Sequence, residues 1–472
     1  MTKWQPDLAS SSGPRYVAIA EALSRDIDSG LLEAGERLPT HRDLAWTLGV
    51  TIGTVSRAYA EAERRGLISG EVGRGTFVRF PPGRERLLLP SEEARAEAGT
   101  NEGGGSEIKL NFAFPPPCGE DQYFAPALRA LAEDPLLPTL FQYQPHSGLL
   151  RHRAAGAAWL RRSGLEVDPQ HLILTAGAQN AIAVSLAAAT KPGDRLLCAQ
   201  LVYPGVQALT RHYGLRLDGV AIDDEGILPD ALETACHSTG ASALYCVPTY
   251  QNPTTGIMSE DRRRAIVEVA ERNGLIIIED DIFGLLSERR HIPLKALAPE
   301  RTIFLTSLSK IVAPALRIGF LSGPESMTDR LATAMRALSW MATPLTAELA
   351  TRWIEDGTAD RILEARRREA AARRALALDI LAPWQPRATP GAIMVWLSLP
   401  EPWRSSDFAL EAQRRGVIVT PAEICAVGRQ TVAHAVKVSL GPPRDRAELE
   451  EGLRRLAGLL EDGPSDAFAD AL

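Results

Sequence analysis

Between residues 172 and 309 one repeated pattern leaves the chain little freedom in its fold. "LILTAG" (172–177), "RLLCAQ" (195–200), "ALYCVP" (243–248), "LIIIEDD" (275–281) and "TIFLTSLS" (302–309) are short apolar runs without polar alternation. Helix-like stretches such as "SEDRRRAIVEVAERNG" (259–274) lie between several of them. A strand that is apolar on both sides has to be covered on both faces. Alternation with helices therefore predicts an α/β domain with a mostly parallel sheet. Further on, an arginine-rich helix ("EARRREAAARRALALDIL", 364–381) is followed by β-like "AIMVWLSL" (392–399) and "VKVSL" (436–440), which predicts a smaller α+β subdomain. At 472 residues the chain exceeds one hydrophobic core, so two or three domains are expected.

Bulk charge excludes a generally basic, nucleic-acid-coating protein: the net charge is −7, so any DNA contact has to be local. Five cysteines (Cys118, Cys198, Cys236, Cys246, Cys425) show no CxxC spacing. This argues against a zinc site or a disulfide framework and for a reducing cytosol. No signal-peptide pattern opens the chain, and the apolar stretch near Ala181–Thr190 is far short of the roughly 20 residues a membrane span needs. A cytoplasmic protein with no metal and no membrane contact is expected.

Residues 14–80 have a different texture. "AIAEALSRDIDSG" carries Ile19, Leu23 and Ile27 as a helical stripe. "GERLPTHRDLAWTLGV" gives a Pro-Thr start and a second helix ending at Gly49, and Thr51 is a candidate N-cap for a third. A Gly-rich hairpin, "SGEVGRGTFVRF", follows. The segments "GERLPTHRDLA", "LGVTIGTVSRAY" and "GRGTFV" resemble the winged helix-turn-helix of GntR-type bacterial regulators. The resemblance implies that Arg42, Thr51, Thr54, Ser56 and Arg57 lie near double-stranded DNA, with Arg74 in the wing. Many relatives carry arginine after the Thr51 position where this chain has Ile52, so base readout is expected to differ. From Arg15 to Phe80 there are nine Arg and nine Asp or Glu, and the module is neutral. Pro, acidic residues and Gly-Gly-Gly without period then mark residues 81–108 as a flexible linker.

In the large domain, chemistry-bearing residues follow the apolar runs in order. "TAGAQNAI" opens a helix, with Gly177 letting the backbone approach an anion and the amides of Ala178 and Gln179 pointing at it. "LVYPG" offers Tyr203 as a stacking ring, and Asn252-Pro253 offers a neutral amide. "IIIEDDIFG" sends two carboxylates out of a buried strand, which is costly unless they are paired. "TSLSK" presents Ser307, Ser309 and Lys310, and Arg317 follows. Pyridoxal 5′-phosphate explains the set jointly. It needs a lysine, a carboxylate at its ring nitrogen, a polar group at its phenolic oxygen, a stacking ring, and amides, hydroxyls and an arginine on its phosphate. Strand ends of a parallel sheet are where such folds place ligands.

Residues 109–460 resemble fold-type I aminotransferases. The resemblance implies that Lys310 forms the Schiff base, Asp280 meets the pyridinium, Asn252 the ring oxygen, and Tyr203 stacks. It gives the phosphate to Ala178, Gln179, Ser307 and Arg317, with Ser309 beside them. Asp281 is expected at the surface. Tyr143, in "FQYQPHSGLLRHRAA", matches the tyrosine that reaches the neighbouring subunit's phosphate, which implies a homodimer. Phe283 stands where most relatives have tyrosine, and Lys437 stands where an arginine usually binds a substrate carboxylate. A lysine keeps the charge but loses the bidentate fork.

The two resemblances together are those of the MocR/GabR family of transcription regulators. They divide the chain into a DNA-binding domain (1–80), a linker (81–108) and a cofactor-binding, dimerising effector domain (109–472). They imply a regulator that binds operator DNA and senses an amino compound or pyridoxal phosphate itself, with Lys437 on the effector. A working aminotransferase with an accessory DNA-binding domain is the alternative, and residual exchange or half-reaction chemistry is compatible with either.

Overall fold

The computed structural model describes residues 4, 6, 14–28, 31–32, 36–65, 67–71, 75–78, 107–428 and 432–464. The chain forms two compact units, Met1–Ser106 with Asp462–Leu472, and Glu107–Glu461. Most of the expected linker, and Arg74, lie outside the described residues.

In the first unit α1 (Arg15–Asp28) and α2 (His41–Leu48) both pack on α3 (Ile52–Arg64). Ile19, Leu23 and Ile27 are buried with Leu44, Val55 and Tyr59, so the helical stripe becomes the core. The Thr40 side chain accepts from Asp43 N at the start of α2, and Gly49 ends that helix with φ 60°. A left-handed residue here lets the chain turn at once into the next helix. The Thr51 hydroxyl caps α3 by accepting from Thr54 N at 3.2 Å. β1 (Ile68–Glu71) and β2 (Gly75–Val78) form an antiparallel hairpin, and Leu38 N and Val78 N bond across to Thr76 O and Glu36 O.

The second unit starts with β3 (Ile108–Lys109), which pairs in parallel with β12 (Val417–Ile418). Its central sheet has seven strands: β4 (Leu172–Thr175), β5 (Arg195–Ala199), β6 (Arg216–Val220), β7 (Ala243–Cys246), β8 (Ile276–Asp280), β9 (Thr302–Ser307) and β10 (Gly319–Ser322). The spatial order is β4-β10-β9-β8-β7-β5-β6, parallel except that β10 runs antiparallel to both neighbours. The inner strands are buried along their length, with Leu196, Cys198 and Ile278 in one core and Leu197, Leu244 and Ile277 in another. The two cores cover opposite faces of the sheet, as strands without polar alternation require.

The smaller subdomain holds an antiparallel sheet of β11 (Met394–Ser398), β14 (Ala435–Ser439) and β13 (Thr420–Pro421). Ile108 and Leu110 pack into its core beside Leu449, Leu453 and Leu456. The entering segment thus belongs structurally to the C-terminal part of the chain. The arginine-rich helix, Thr358–Ile380, is not a solvated basic face. Arg366 and Arg373 are buried and donate to backbone carbonyls of other segments.

Candidate functional site

The site is assembled by loops that leave the carboxyl ends of the parallel strands. Beyond β4, Gly177 has φ 84° and caps the helix Ala178–Ala189. A side chain there would sit 2.9 Å from the Arg317 guanidinium. The turn therefore brings the free amides at the helix start close to that cation, a combination suited to an anion. Arg317 itself adopts φ 50° and donates to Ala176 O at 3.1 Å. Gly319 tightens the same place, since a Cβ would lie 2.5 Å from Thr175 Oγ1.

Asp280 ends β8 fully buried. Tyr245 Oη donates to its Oδ2 at 2.5 Å, and Ile282 N donates to Oδ1 at 3.2 Å. Burial pushes the carboxyl up to about 6, against the pull of those two donors and of Lys310. A carboxylate here gains from a cationic partner, which a pyridinium supplies. Alternation along β8 turns Glu279 and Asp281 to the other face. Glu279 accepts from the amides of Leu294 and Lys295, both at 2.8 Å. Asp281 corrects the sequence expectation: it is 8% exposed, not at the surface. Its amide still bonds Leu305 O in the sheet, and the chain then folds back so that the carboxyl packs on Gly284. Burial, with the nearby Glu279 charge, raises that carboxyl well above the usual range.

Lys310 lies in the turn after β9, half-buried, with Nζ 5.1 Å from the Phe114 ring centroid. Burial, then the charges of Lys437 and Arg317, push its ammonium down to about 8, and Asp280 pulls the other way. The four side chains therefore share one electrostatic environment. Tyr203 precedes the helix Pro204–His212, and its ring lies where a Cβ on Gly205 would be, so glycine is what admits it. Burial, then the Asp280 charge, raises its hydroxyl.

Three buried polar atoms at these positions have no protein partner: Asn252 Oδ1, Ser309 Oγ and Gln179 Oε1. Unpaired buried polar groups are costly and rare, so their recurrence on residues expected to contact one ligand indicates a site built for that ligand. Ser307 is buried at the end of β9, and Ala178 starts the helix that Gly177 caps. The donor set fits pyridoxal phosphate: Lys310 would hold its carbonyl carbon, Asp280 its ring nitrogen, and the Gly177–Gln179 turn with Arg317 its phosphate.

Lys437 is 5% exposed on β14, opposite Trp396 and Thr420. It makes no hydrogen bond or ion pair among the described residues, and burial lowers its ammonium. Phe283 is buried and brings no hydroxyl. Tyr143 is 82% exposed, its ring 5.7 Å from that of Trp340. Tyr245 and Phe114 were missed in the sequence. Tyr245 sits inside an apolar strand run and Phe114 lies far from Lys310 in the chain, so neither carried a local signal.

In the first unit Arg42 and Arg57 are exposed, and Thr51 and Thr54 share a hydroxyl contact of 2.9 Å at the start of α3. The Ser56 hydroxyl instead turns toward α2, 3.2 Å from His41 Nδ1. Ile52 and Trp46 stand exposed nearby.

Comparison with known proteins agrees with both units. Residues 15–78 match the bacterial regulatory proteins of the gntR family, and residues 109–456 match aminotransferase class I and II. The uncharacterized HTH-type transcriptional regulator YdeF of Bacillus subtilis is 31% identical over 97% of both chains. The HTH-type pyridoxine biosynthesis transcriptional regulator PdxR of Corynebacterium glutamicum is 31% identical over 77% of this chain and 78% of its own. Among solved structures, a Pyrococcus horikoshii kynurenine aminotransferase superposes with a TM-score of 0.72 at 25% identity, covering 81% of this chain and 95% of that one. With a gntR-type head joined to an aminotransferase body, and an HTH-type transcriptional regulator 31% identical along nearly its whole length, the chain belongs to the MocR/GabR-type regulators of the GntR family.

Proposed function

We propose that this protein is a DNA-binding transcription regulator whose aminotransferase-like unit binds pyridoxal phosphate and reports an amino compound, or the cofactor itself, to the winged helix. Bound cofactor supplies an electrophilic carbon that exchanges one amine for another. The chain's own residues prepare that exchange. Lys310, its ammonium lowered to about 8, is far more readily deprotonated than an ordinary lysine, which suits a nucleophile. Asp280, fixed by Tyr245, would balance the charge of the cofactor's ring nitrogen. Lys437 provides a buried, unpaired cation for an effector's acid group.

The observation that carries the reading is Lys437. A buried ammonium without a carboxylate asks for an anionic ligand, yet it lacks the bidentate fork that would fix a substrate rigidly. Such a site favours exchangeable binding over committed turnover. Phe283, without a hydroxyl for the cofactor's oxygen, supports the same view. We propose a homodimer, cytoplasmic in location, with Tyr143 contributed to the neighbouring subunit's phosphate. The exposed apolar side chains Phe141, Tyr143, Leu338 and Trp340 support an interface there. We place Arg42, Thr51, Thr54 and Arg57 on operator DNA, with Ser56 behind them.

The test uses purified full-length protein. We expect visible colour that is lost on Lys310→Ala, and specific binding to DNA upstream of its own or adjacent genes that changes with an added amine or with cofactor. Multiple-turnover transamination with an amino donor and a keto acid, without specific DNA binding, would establish the alternative, a working aminotransferase.

A further inference from the structure

We infer that Arg366 is a positioning residue for Lys310, its buried guanidinium fixing the lysine turn against the segment by which the chain enters this unit. Arg366 lies in the long helix Thr358–Ile380 and is fully buried. Its Nη1 donates to Pro116 O, and its Nη2 donates to Val312 O at 2.6 Å and to Glu120 Oε1 at 3.0 Å. Val312 is two residues beyond Lys310. Pro116 is two residues beyond Phe114, whose ring faces the Lys310 ammonium. One rigid, planar donor thus ties the backbone just after the lysine to the entry segment that carries Phe114.

The same helix shows what a purely structural arginine does. Arg373, two turns on, is equally buried and donates to Leu440 O, Gly441 O and Pro443 O, with Glu369 as its carboxylate. It grips the chain just after β14 and touches nothing in the lysine turn. Arg366 has a similar number of acceptors, but they come from the entry segment and the lysine loop. Its Nε makes no hydrogen bond, so the site is not simply optimised for satisfying this guanidinium. Burying an arginine costs more than burying an apolar side chain of the same volume, and the return here is geometric. The Lys310 turn is otherwise held by the amides of Ile311, Val312 and Ala313, which donate to Leu308 O, and by Leu308 N, which donates to Ile318 O; Arg366 adds the tie to the entry segment.

The inference rests on reading Lys310 as the cofactor's lysine, but its test needs no cofactor. Cofactor-free full-length protein is labelled with acetic anhydride across a pH series. Acetylation of Lys310 is read by mass spectrometry against exposed Lys191. In Arg366→Lys we expect the midpoint for Lys310 to rise by about one pH unit as the amine regains water. Arg373→Lys, which reaches Phe114 only through Gly441, should lose similar thermal stability with less than half that rise. Glu120→Gln, which loosens the same guanidinium without emptying its place, should give a smaller rise and decides the matter if Arg366 variants do not fold. An unchanged midpoint in the Arg366 and Glu120 variants, or an equal shift in Arg373→Lys, overturns the inference. Failure of the underlying reading looks different: borohydride reduction of loaded wild-type protein would attach cofactor to a residue other than Lys310, or to none.

Discussion

Asp280 shows how much of the site depends on single contacts. Its carboxyl is raised to about 6 by burial and is held down chiefly by the Tyr245 hydroxyl. Tyr245→Phe removes that donor, so the carboxyl should rise further and pair less well with a cationic ring. We expect weaker cofactor retention, read by equilibrium dialysis, and a loss of about 1–3 kcal/mol in urea unfolding of the cofactor-free protein. Lys310 gives a pH prediction with a definite sign. Its folded value, about 8, lies below its ordinary 10.5. Between those values the unfolded chain binds more protons, so this residue's contribution makes cofactor-free protein more stable as pH rises through that window. Urea midpoints of wild type and Lys310→Met should therefore diverge less at pH 10 than at pH 8. Equal divergence would remove the assignment of a depressed ammonium.

At the scale of elements, close approach and ion pairing do the fixing. A Cβ on Gly441 would meet Phe114 O at 1.7 Å, so the entry segment lies directly on the end of β14. Gly441→Ala should displace Phe114 from Lys310 and reduce cofactor binding, measured by visible titration, and wild-type affinity in that variant would contradict the packing. The helices Leu150–Leu160 and Pro344–Glu355 are joined by Glu348, which binds His152 at 3.0 Å, Arg151 at 2.5 Å and Arg352 at 2.8 Å. Burial works against its charge, but those three donors hold its carboxyl down at about 2. Its stabilising effect is therefore present above the unfolded value near 4.5 and is lost as pH falls toward 2. Glu348→Ala takes the carboxylate from buried His152, while Arg151 keeps Glu355 and Arg352 keeps Asp134; it should cost about 1–3 kcal/mol at neutral pH, with wild type and variant converging in acid by thermal melts.

For the molecule as a whole, the informative quantities are assembly and DNA response. Phe141 and Trp340 are 69% and 44% exposed, an unusual display for a monomer. Phe141→Asp with Trp340→Asp should convert the proposed dimer to a monomer of 51.1 kDa by light scattering and, with Tyr143 crossing that interface, weaken cofactor retention; an unchanged assembly state would move the interface elsewhere. Arg57→Ala should lower operator affinity and leave cofactor loading unchanged. Lys310→Ala should leave DNA binding measurable but insensitive to amines. DNA binding that still responds to an amine without Lys310 would place the sensor elsewhere.

Local patterns carried the architecture. The apolar runs dictated buried strands, the Ile19–Leu23–Ile27 stripe dictated a packed helix, and Thr40, Gly49 and Thr51 set helix boundaries through their own backbone chemistry. The residues at the strand ends were legible because their chemistry is expensive in an apolar setting, so each unpaired group pointed to a ligand. The antiparallel direction of β10 was not legible, because periodicity says which faces are covered and nothing about direction. The burial of Asp281 depended on a chain reversal onto Gly284. The sequence marked the long helix only as arginine-rich, and packing alone revealed Arg366 and Arg373 as clamps on backbones 54 to 250 residues away in sequence. Tyr245 against Asp280 and Phe114 against Lys310 were likewise decided in three dimensions, because contacts between distant segments leave no trace in local spacing. The sequence determined which groups this protein needs for its cofactor, and the tertiary structure decided which of its other residues hold those groups in place.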